Sequence, residues 1–158
     1  MTVVSNTSPL CYVILIGCAD ILPKLYGEAH TTQTVLTELR HPDAPESVRV
    51  WANTPPVWLK VHSDPPEPDA SLAPLHAGEH TAIRLAEQLH ADIVLLDDAA
   101  ARDLAAERKL KVSGLLGVLR DAAQAGLVDL PTAVDRLRQT NFRASPELLK
   151  SLLTPPNS

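Results

Sequence analysis

The chain has 158 residues, of which 45% are hydrophobic, so it can bury a core but is too short for two ordinary domains. Aromatic residues make up only 3%, which favours Leu, Val, Ile and Ala helices packed on a buried parallel sheet over a β-sandwich. Residues 1–100 hold 5 basic and 13 acidic side chains, whereas residues 101–158 hold 9 basic and 6 acidic ones. This asymmetry of charge suits a metal site beside a phosphate-binding surface, although a chance asymmetry of solvated faces would look the same.

The first apolar stretch, residues 10–19, follows a polar turn and has no basic flank, so it is neither a signal peptide nor a membrane span. Cys11 and Cys18 lie seven apart in what reads as one helix, about 10 Å along its axis, which is too far for a disulfide. We therefore expect a reducing, cytoplasmic environment and no membrane partner.

The first half of the chain begins with a strand, turn and helix. Val3 to Ser5 predicts a short strand, and Ser8 and Pro9 predict the N-cap and first turn of an apolar helix. The next apolar stretch ends near Tyr26. The elements predicted after it are a strand at 29–32, helices at 34–40 and 46–52, and a strand at 57–62.

The second half continues the alternation of strands and helices. A proline-rich surface loop is predicted at 63–74. The elements after it are a helix at 75–91, a central strand at 93–96, a helix at 99–108, a strand at 110–112, a helix after Gly114, and short helices at 132–139 and 146–153. We predict one α/β domain over residues 1–153, a three-layer α/β/α sandwich with a central parallel sheet, and a short tail at 154–158.

Polar residues follow the predicted strands at their carboxyl ends, where ligands bind in parallel sheets. Asn6 follows the first strand, and Asp97 and Asp98 follow the 93–96 strand. Glu79 lies in the first turn of a predicted helix. We expect these four side chains to meet at one edge of the sheet.

Glu79 shares a helix face with Ala82, Ile83 and Ala86, which predicts that its carboxylate points inward. A buried carboxylate without a partner is costly, so Glu79 should be paired, protonated or bound to a metal. The alternative is that it complements the helix dipole and remains solvated.

Asp97 and Asp98 leave two interpretations open. Asp98 can cap the helix that follows it. Alternatively, both acids join Glu79, where each pair of carboxylates would repel by roughly 4 kcal/mol at about 4 Å and an effective dielectric constant near 20. A divalent cation removes that repulsion, and hard oxygen ligands select Mg²⁺ or Mn²⁺.

Three further patterns carry weaker signals. His76, Glu79 and His80 spell H-x-x-E-H, an inverted zincin motif, but Gly78 weakens the helix there and His80 points about 100° from the face of Glu79. Glu38 lies at the edge of an apolar helix face and reads as a surface residue. The arginines at 136, 138 and 143 form either a solvated face or an RNA track.

Five segments, taken together and in order, resemble PIN-domain proteins of the VapC-toxin kind over nearly the whole chain. They are SNTSPL at 5–10, TVLTELRHPDAP at 34–45, GEHTAIRLA at 78–86, LLDDAAAR at 95–102 and SGLLGVLR at 113–120. The resemblance implies a metal-dependent ribonuclease with an acidic pocket that uses Mg²⁺ or Mn²⁺. It also implies an RNA substrate, a protein antitoxin as partner and a homodimer.

The resemblance also assigns roles to individual residues. The catalytic positions fall on Asn6, Glu38, Glu79, Asp97 and Asp98, of which Glu79, Asp98 and Asp97 would hold the metal. The substrate-binding positions fall on Ser8 and Arg102, although Arg102 can equally pair with Asp98. The implied reaction is hydrolysis of an RNA phosphodiester by a metal-bound water.

Two residues depart from the pattern of the similar sequences. Asn6 stands where they carry Asp, and Leu115 stands where they usually carry Thr. Because Asn6 lacks a charge, the alternative function is a PIN-like protein that binds RNA or an antitoxin without cleaving.

Overall fold

The computed structural model describes residues 1–66 and 69–153. Its five strands are Thr2–Ser5 (β1), Glu28–Thr32 (β2), Leu59–His62 (β3), Ile93–Leu95 (β4) and Val112–Ser113 (β5). They form one sheet in the order β3-β2-β1-β4-β5, and every neighbouring pair is parallel. The predicted α/β class with a central parallel sheet is confirmed.

The helices within the described residues surround this sheet. They are Thr7–Leu15 (α1), Ile21–Tyr26 (α2), Gln33–Leu39 (α3), Glu46–Asn53 (α4), Ala77–Gln88 (α5), Ala99–Glu107 (α6), Leu115–Gln124 (α7), Leu130–Arg138 (α8) and Pro146–Leu153 (α9). A 3₁₀ turn at Ala70–Leu72 lies in the loop before α5. No helix in the described ranges has the length and apolar character needed to cross a bilayer.

Successive side chains of strand β1 point to opposite faces of the sheet, and helices cover both faces. Val3 belongs to the core formed with α1, α2, α4 and α7, and Val4 belongs to the core formed with α5 and α6. Both side chains are fully buried. The domain therefore has three layers with β1 at the centre.

The strand order reverses at β1, since β2 and β3 lie on one side of it and β4 and β5 on the other. At such a reversal the connecting segments leave the sheet in opposite directions and open a crevice beyond the carboxyl ends of the strands. Asn6 directly follows β1, and Asp97 comes two residues after β4. The topology thus places both residues at the crevice.

Two helices end earlier than the periodicity predicts because a residue in the left-handed conformation closes each of them. His90 has φ of 52° after α5, and Lys109 has φ of 64° after α6. Leu110 donates its N–H back to the carbonyl of Ala105 at 3.0 Å, so it belongs to the helix end. The last strand accordingly occupies 112–113 and not 110–112.

Two predictions at the start of the chain are wrong. The helix begins at Thr7 with Asn6 at the N-cap position, so Ser8 is not the cap. It ends at Leu15, which leaves Cys18 outside the helix that holds Cys11, although both thiols are free.

The strand expected from residue 57 begins at Leu59, and the predicted tail at 154–158 lies outside the described residues.

Candidate active site

A cleft of about 320 Å³ opens beyond the carboxyl end of β1. Its walls come from the first two turns of α1, from α3 and from the start of α5. We call it the acidic cleft; it is lined by Asn6, Thr7, Ser8, Cys11, Tyr12, Glu38, His76 and Glu79.

Asn6 is held at the base of the acidic cleft by its backbone. Its N–H donates to the carbonyl of Leu95 at 3.1 Å, which fixes the residue between β1 and β4. The side chain is buried, and Oδ1 has no hydrogen-bond partner among the described residues. A buried acceptor left unsatisfied costs about 1–3 kcal/mol, so this oxygen marks a place where a ligand belongs.

Glu38 reaches the same point from α3. The Thr7 hydroxyl donates to its Oε2 at 3.0 Å. A Cβ atom on Gly78 would overlap the Glu38 carboxylate and would lie 3.0 Å from Asn6 Oδ1. The missing side chain at Gly78 therefore allows the oxygens of Glu38 and Asn6 to converge on the first turn of α5.

Glu79 points inward, as its helical face predicted, and is only 6% exposed. Its Oε1 accepts the backbone N–H of His76 at 3.1 Å, so it also satisfies a free donor at the helix N-terminus. Burial raises the pKa of Glu79 against the effect of that hydrogen bond, and the negative charges of Asp98 and Glu38 raise the pKa further. Glu79 is therefore a buried carboxylate close enough to feel the negative charge of two others.

The two adjacent aspartates have different surroundings. Asp98 is exposed and caps α6, accepting the N–H of Ala101 at 3.0 Å. Asp97 is half-buried and accepts the Leu115 N–H at 2.8 Å and the Ser8 hydroxyl at 3.2 Å. Burial raises the pKa of Asp97, while these two hydrogen bonds and the charge of Arg102 oppose the rise. Asp97 thus joins the end of β4 to α1 and α7.

The candidate site residues consequently divide into two groups. Asn6, Glu38 and Glu79 share the acidic cleft, and the charge of Asp98 reaches Glu79. Asp97 and Arg102 line a neighbouring pocket. Ser8 lines the cleft and bonds to Asp97, so it connects the groups. Whether these residues carry the predicted roles stays a prediction.

Four residues of the cleft were not identified as site residues from the sequence, and Cys11, considered only for a disulfide, is one of them. Thr7 follows Asn6 and could have been found by its place after the strand. His76 belonged to the zincin motif that the sequence argued against; His80 accepts the backbone N–H of Asp69 at 3.0 Å, and His80 is absent from the cleft lining. Tyr12, one turn beyond Ser8 in an apolar helix, gave no signal.

The chain matches the family model DUF3368, described as a PIN domain, over residues 2–157. This protein belongs to the PIN-domain family. Its structure is similar to that of a PilT N-terminus domain protein from the hyperthermophilic archaeon Sulfolobus solfataricus P2, with a TM-score of 0.53 and 17% identity over 77% of this chain and 93% of that chain. That likeness shows the fold alone. No curated protein matches the chain.

PIN domains are generally metal-dependent nucleases, so we tested whether the residues of this PIN domain fit a cation. Within residues 1–66 and 69–153, no three His, Cys, Asp or Glu side chains form a group able to hold a metal by themselves. The unpartnered Oδ1 of Asn6 adds an oxygen beside the Glu38 carboxylate. Burial, together with the negative charges of Asp98 and Glu38, raises the pKa of Glu79. An all-oxygen set with excess negative charge fits Mg²⁺ or Mn²⁺.

Proposed function

We propose that this PIN domain is a metal-dependent endoribonuclease that hydrolyses RNA phosphodiesters in the cytoplasm with Mg²⁺ or Mn²⁺. The observation that carries the proposal is the buried, unpartnered Oδ1 of Asn6, which lies beside the Glu38 carboxylate in the cleft that also holds Glu79. A cation is the ligand that would satisfy this oxygen and offset the carboxylate charges together.

In this proposal Glu79 and Asp98 would hold the metal, and Asn6 and Glu38 would complete or orient the set. When bound, the ion supplies a water of lowered pKa and stabilises charge on the phosphate oxygens. The His76 N–H holds Glu79 in place, and the Thr7 hydroxyl holds Glu38. These contacts keep the carboxylates oriented before any ligand arrives.

Asp97 has a different role from that of its neighbour. Both of its oxygens already accept protein hydrogen bonds, from Leu115 and Ser8. We therefore assign Asp97 to positioning the end of β4 against α1 and α7. Arg102 lies beside it and is free to contact a substrate phosphate.

The alternative is a PIN domain that binds RNA or an antitoxin without cutting, because Asn6 is neutral. We favour cleavage for two reasons. An amide carbonyl is still a hard oxygen ligand, and the charges of Glu38, Glu79 and Asp98 still exceed those of one divalent ion. The resemblance to VapC-like sequences further supports a toxin role with a protein antitoxin and a homodimer.

Cleavage of a structured RNA tests the proposal, with Mg²⁺, Mn²⁺ or EDTA present. We expect wild type to cut only with metal and Glu79→Ala to lose about 100-fold or more. Glu107→Ala removes an exposed Glu that does not line the cleft and should cut like wild type.

Asn6→Asp separates the proposal from its alternative. If Asn6 already serves as a ligand, the added charge should tighten metal binding and leave cleavage at least as fast. Cutting by Asn6→Asp but not by wild type would establish the non-cleaving alternative. Activity on peptides that Zn²⁺ alone supports would overturn both.

A further inference from the structure

A second pocket, of about 500 Å³, lies beside the acidic cleft at the carboxyl ends of β4 and β5. Three arginines from three parts of the fold line it: Arg102 on α6, Arg120 on α7, and Arg143 between α8 and α9. Asp97, Gly114 and Phe142 also line this arginine pocket. None of these groups except Asp97 and Arg102 has a role in the proposed function.

The three guanidinium groups are available for a ligand. None of them donates a hydrogen bond to, or forms an ion pair with, another residue of the described part of the chain. Two other arginines, by contrast, have protein partners. Arg108 pairs with Glu87 and Asp69, and Arg136 donates to the Ile16 carbonyl at 3.1 Å.

Asp97 is the only carboxylate among the lining residues, and it cannot neutralise three cations. Its oxygens are already hydrogen-bonded to Leu115 and Ser8. A Cβ on Gly114 would lie 2.8 Å from an Arg102 nitrogen and 2.9 Å from Asp97 Oδ1, so Gly114 makes room for Arg102 beside the acid. The pocket keeps an excess of positive charge that an anion would offset.

The arginine pocket shares a wall with the acidic cleft. The Ser8 to Asp97 hydrogen bond joins a residue of the cleft to a residue of the pocket. Tyr12 of the cleft and Phe142 of the pocket pack edge to face, with ring centroids 5.0 Å apart. The Tyr12 hydroxyl donates to Asn141 Oδ1 at 2.7 Å, which holds the segment before Arg143 against α1.

We propose that the arginine pocket binds a backbone phosphate of an RNA substrate whose neighbouring phosphodiester lies in the acidic cleft. This inference rests on the proposed function and adds a second binding position for its substrate. Guanidinium groups bind phosphate oxygens in a bidentate manner, and three of them from separate parts of the fold line this one pocket. Arg120 and Arg143 are then positioning residues, and the substrate must extend beyond the scissile bond on one side.

The structure separates the three arginines that the sequence grouped together, at 136, 138 and 143. Arg136 donates to the carbonyl of Ile16, directly after α1. Arg138 is exposed on α8 and absent from the lining of the pocket. Only Arg143 of the three faces the arginine pocket. Arg138 therefore provides a control with the same loss of charge.

Binding of fluorescent single-stranded RNA, followed by anisotropy in EDTA, tests the inference without cleavage. Arg120→Ala and Arg143→Ala should each weaken binding roughly tenfold, and Arg120→Lys should recover part of the loss. The double variant should reduce the slope of log K against log salt by no more than about 0.7, as expected for the loss of one phosphate contact on a single strand. Arg138→Ala should bind like wild type.

The outcomes separate the pocket from the nuclease. Equal binding by the pocket variants and Arg138→Ala, or no binding of single-stranded RNA by wild type, overturns the pocket whether or not RNA is cut. Weakened binding in the pocket variants, with no cleavage in any metal, supports the pocket and removes the nuclease. If RNA is cut, the pocket variants should raise KM more than they lower kcat, since the role is positioning.

Discussion

At the scale of single residues, the site is defined by carboxylates that form no ion pair with the residues that the structure describes. Glu79 is buried, and the charges of Asp98 and Glu38 act on it in the same direction as burial. Its pKa is therefore higher in the folded chain than in the unfolded chain. Such a carboxyl stabilises the fold at a pH below its unfolded pKa, and this contribution is lost as the pH rises through its folded pKa.

Glu79→Gln should consequently raise the melting temperature at neutral pH in EDTA. The Gln side-chain oxygen can still accept the His76 N–H, so the variant removes the charge and keeps the helix contact. The gain should shrink as the pH falls through the raised pKa of Glu79 and should be gone below the ordinary value for Glu, because wild type is then protonated. Glu107→Gln, at an exposed position, should show no such difference. A less stable Glu79→Gln at neutral pH would mean that the charge is already compensated.

At the scale of elements, a glycine in the first turn of α5 lets neighbouring side chains approach the helix closely and makes the helix itself less stable. Gly78 lacks the side chain that would overlap the Glu38 carboxylate. A glycine within a helix costs roughly 0.5–1 kcal/mol relative to alanine. From the sequence, Gly78 is only a weak point in the helix. The structure shows that its missing side chain leaves room for the oxygens of Glu38 and Asn6.

Gly78→Ala should therefore separate stability from metal binding. The new methyl group meets the end of a flexible side chain, so Glu38 can rotate away while the helix gains propensity. We expect an unchanged or higher melting temperature and a weaker affinity for Mn²⁺ by calorimetry, on the order of 10-fold. Glu38→Gln, which adds no bulk, should weaken Mn²⁺ similarly. Binding by Gly78→Ala as tight as wild type would exclude Glu38 from the metal site.

At the scale of the whole molecule, periodicity and strand position predicted the sheet and its binding edge. Val3, Val4 and Val94 are buried because continuous apolar runs belong in central parallel strands. Glu79 was found because a 100° rotation per residue fixes its face once the helix is known.

Long-range contacts account for what the sequence did not predict. Arg120 and Arg143 lie 23 residues apart in the sequence, and only the packing of α7, α8 and α9 brings them to one pocket. Asp97 and Asp98 are adjacent and chemically identical. They are distinguished by contacts from distant elements, since Leu115 of α7 and Ser8 of α1 both donate to Asp97. Glu38 looked like a surface residue because its partner Thr7 is 31 positions away.

The global stability should respond to the metal, because a ligand that binds only the folded chain stabilises it by mass action. At 100 times the dissociation constant the gain is about 2.7 kcal/mol, or roughly 5–10 °C in the melting temperature of a domain of this size. We expect Mn²⁺ to produce this shift in wild type and in Glu107→Gln.

The same measurement in Glu79→Gln tests whether the rise in melting temperature with Mn²⁺ depends on the Glu79 charge. That variant begins from a higher melting temperature in EDTA and should gain little from Mn²⁺, since the charge that attracts the ion has been replaced. An equal Mn²⁺ shift in both proteins would place the ion elsewhere, even if wild type cuts RNA. A shift confined to wild type and Glu107→Gln would tie the instability of the metal-free fold to the cleft that binds the ion.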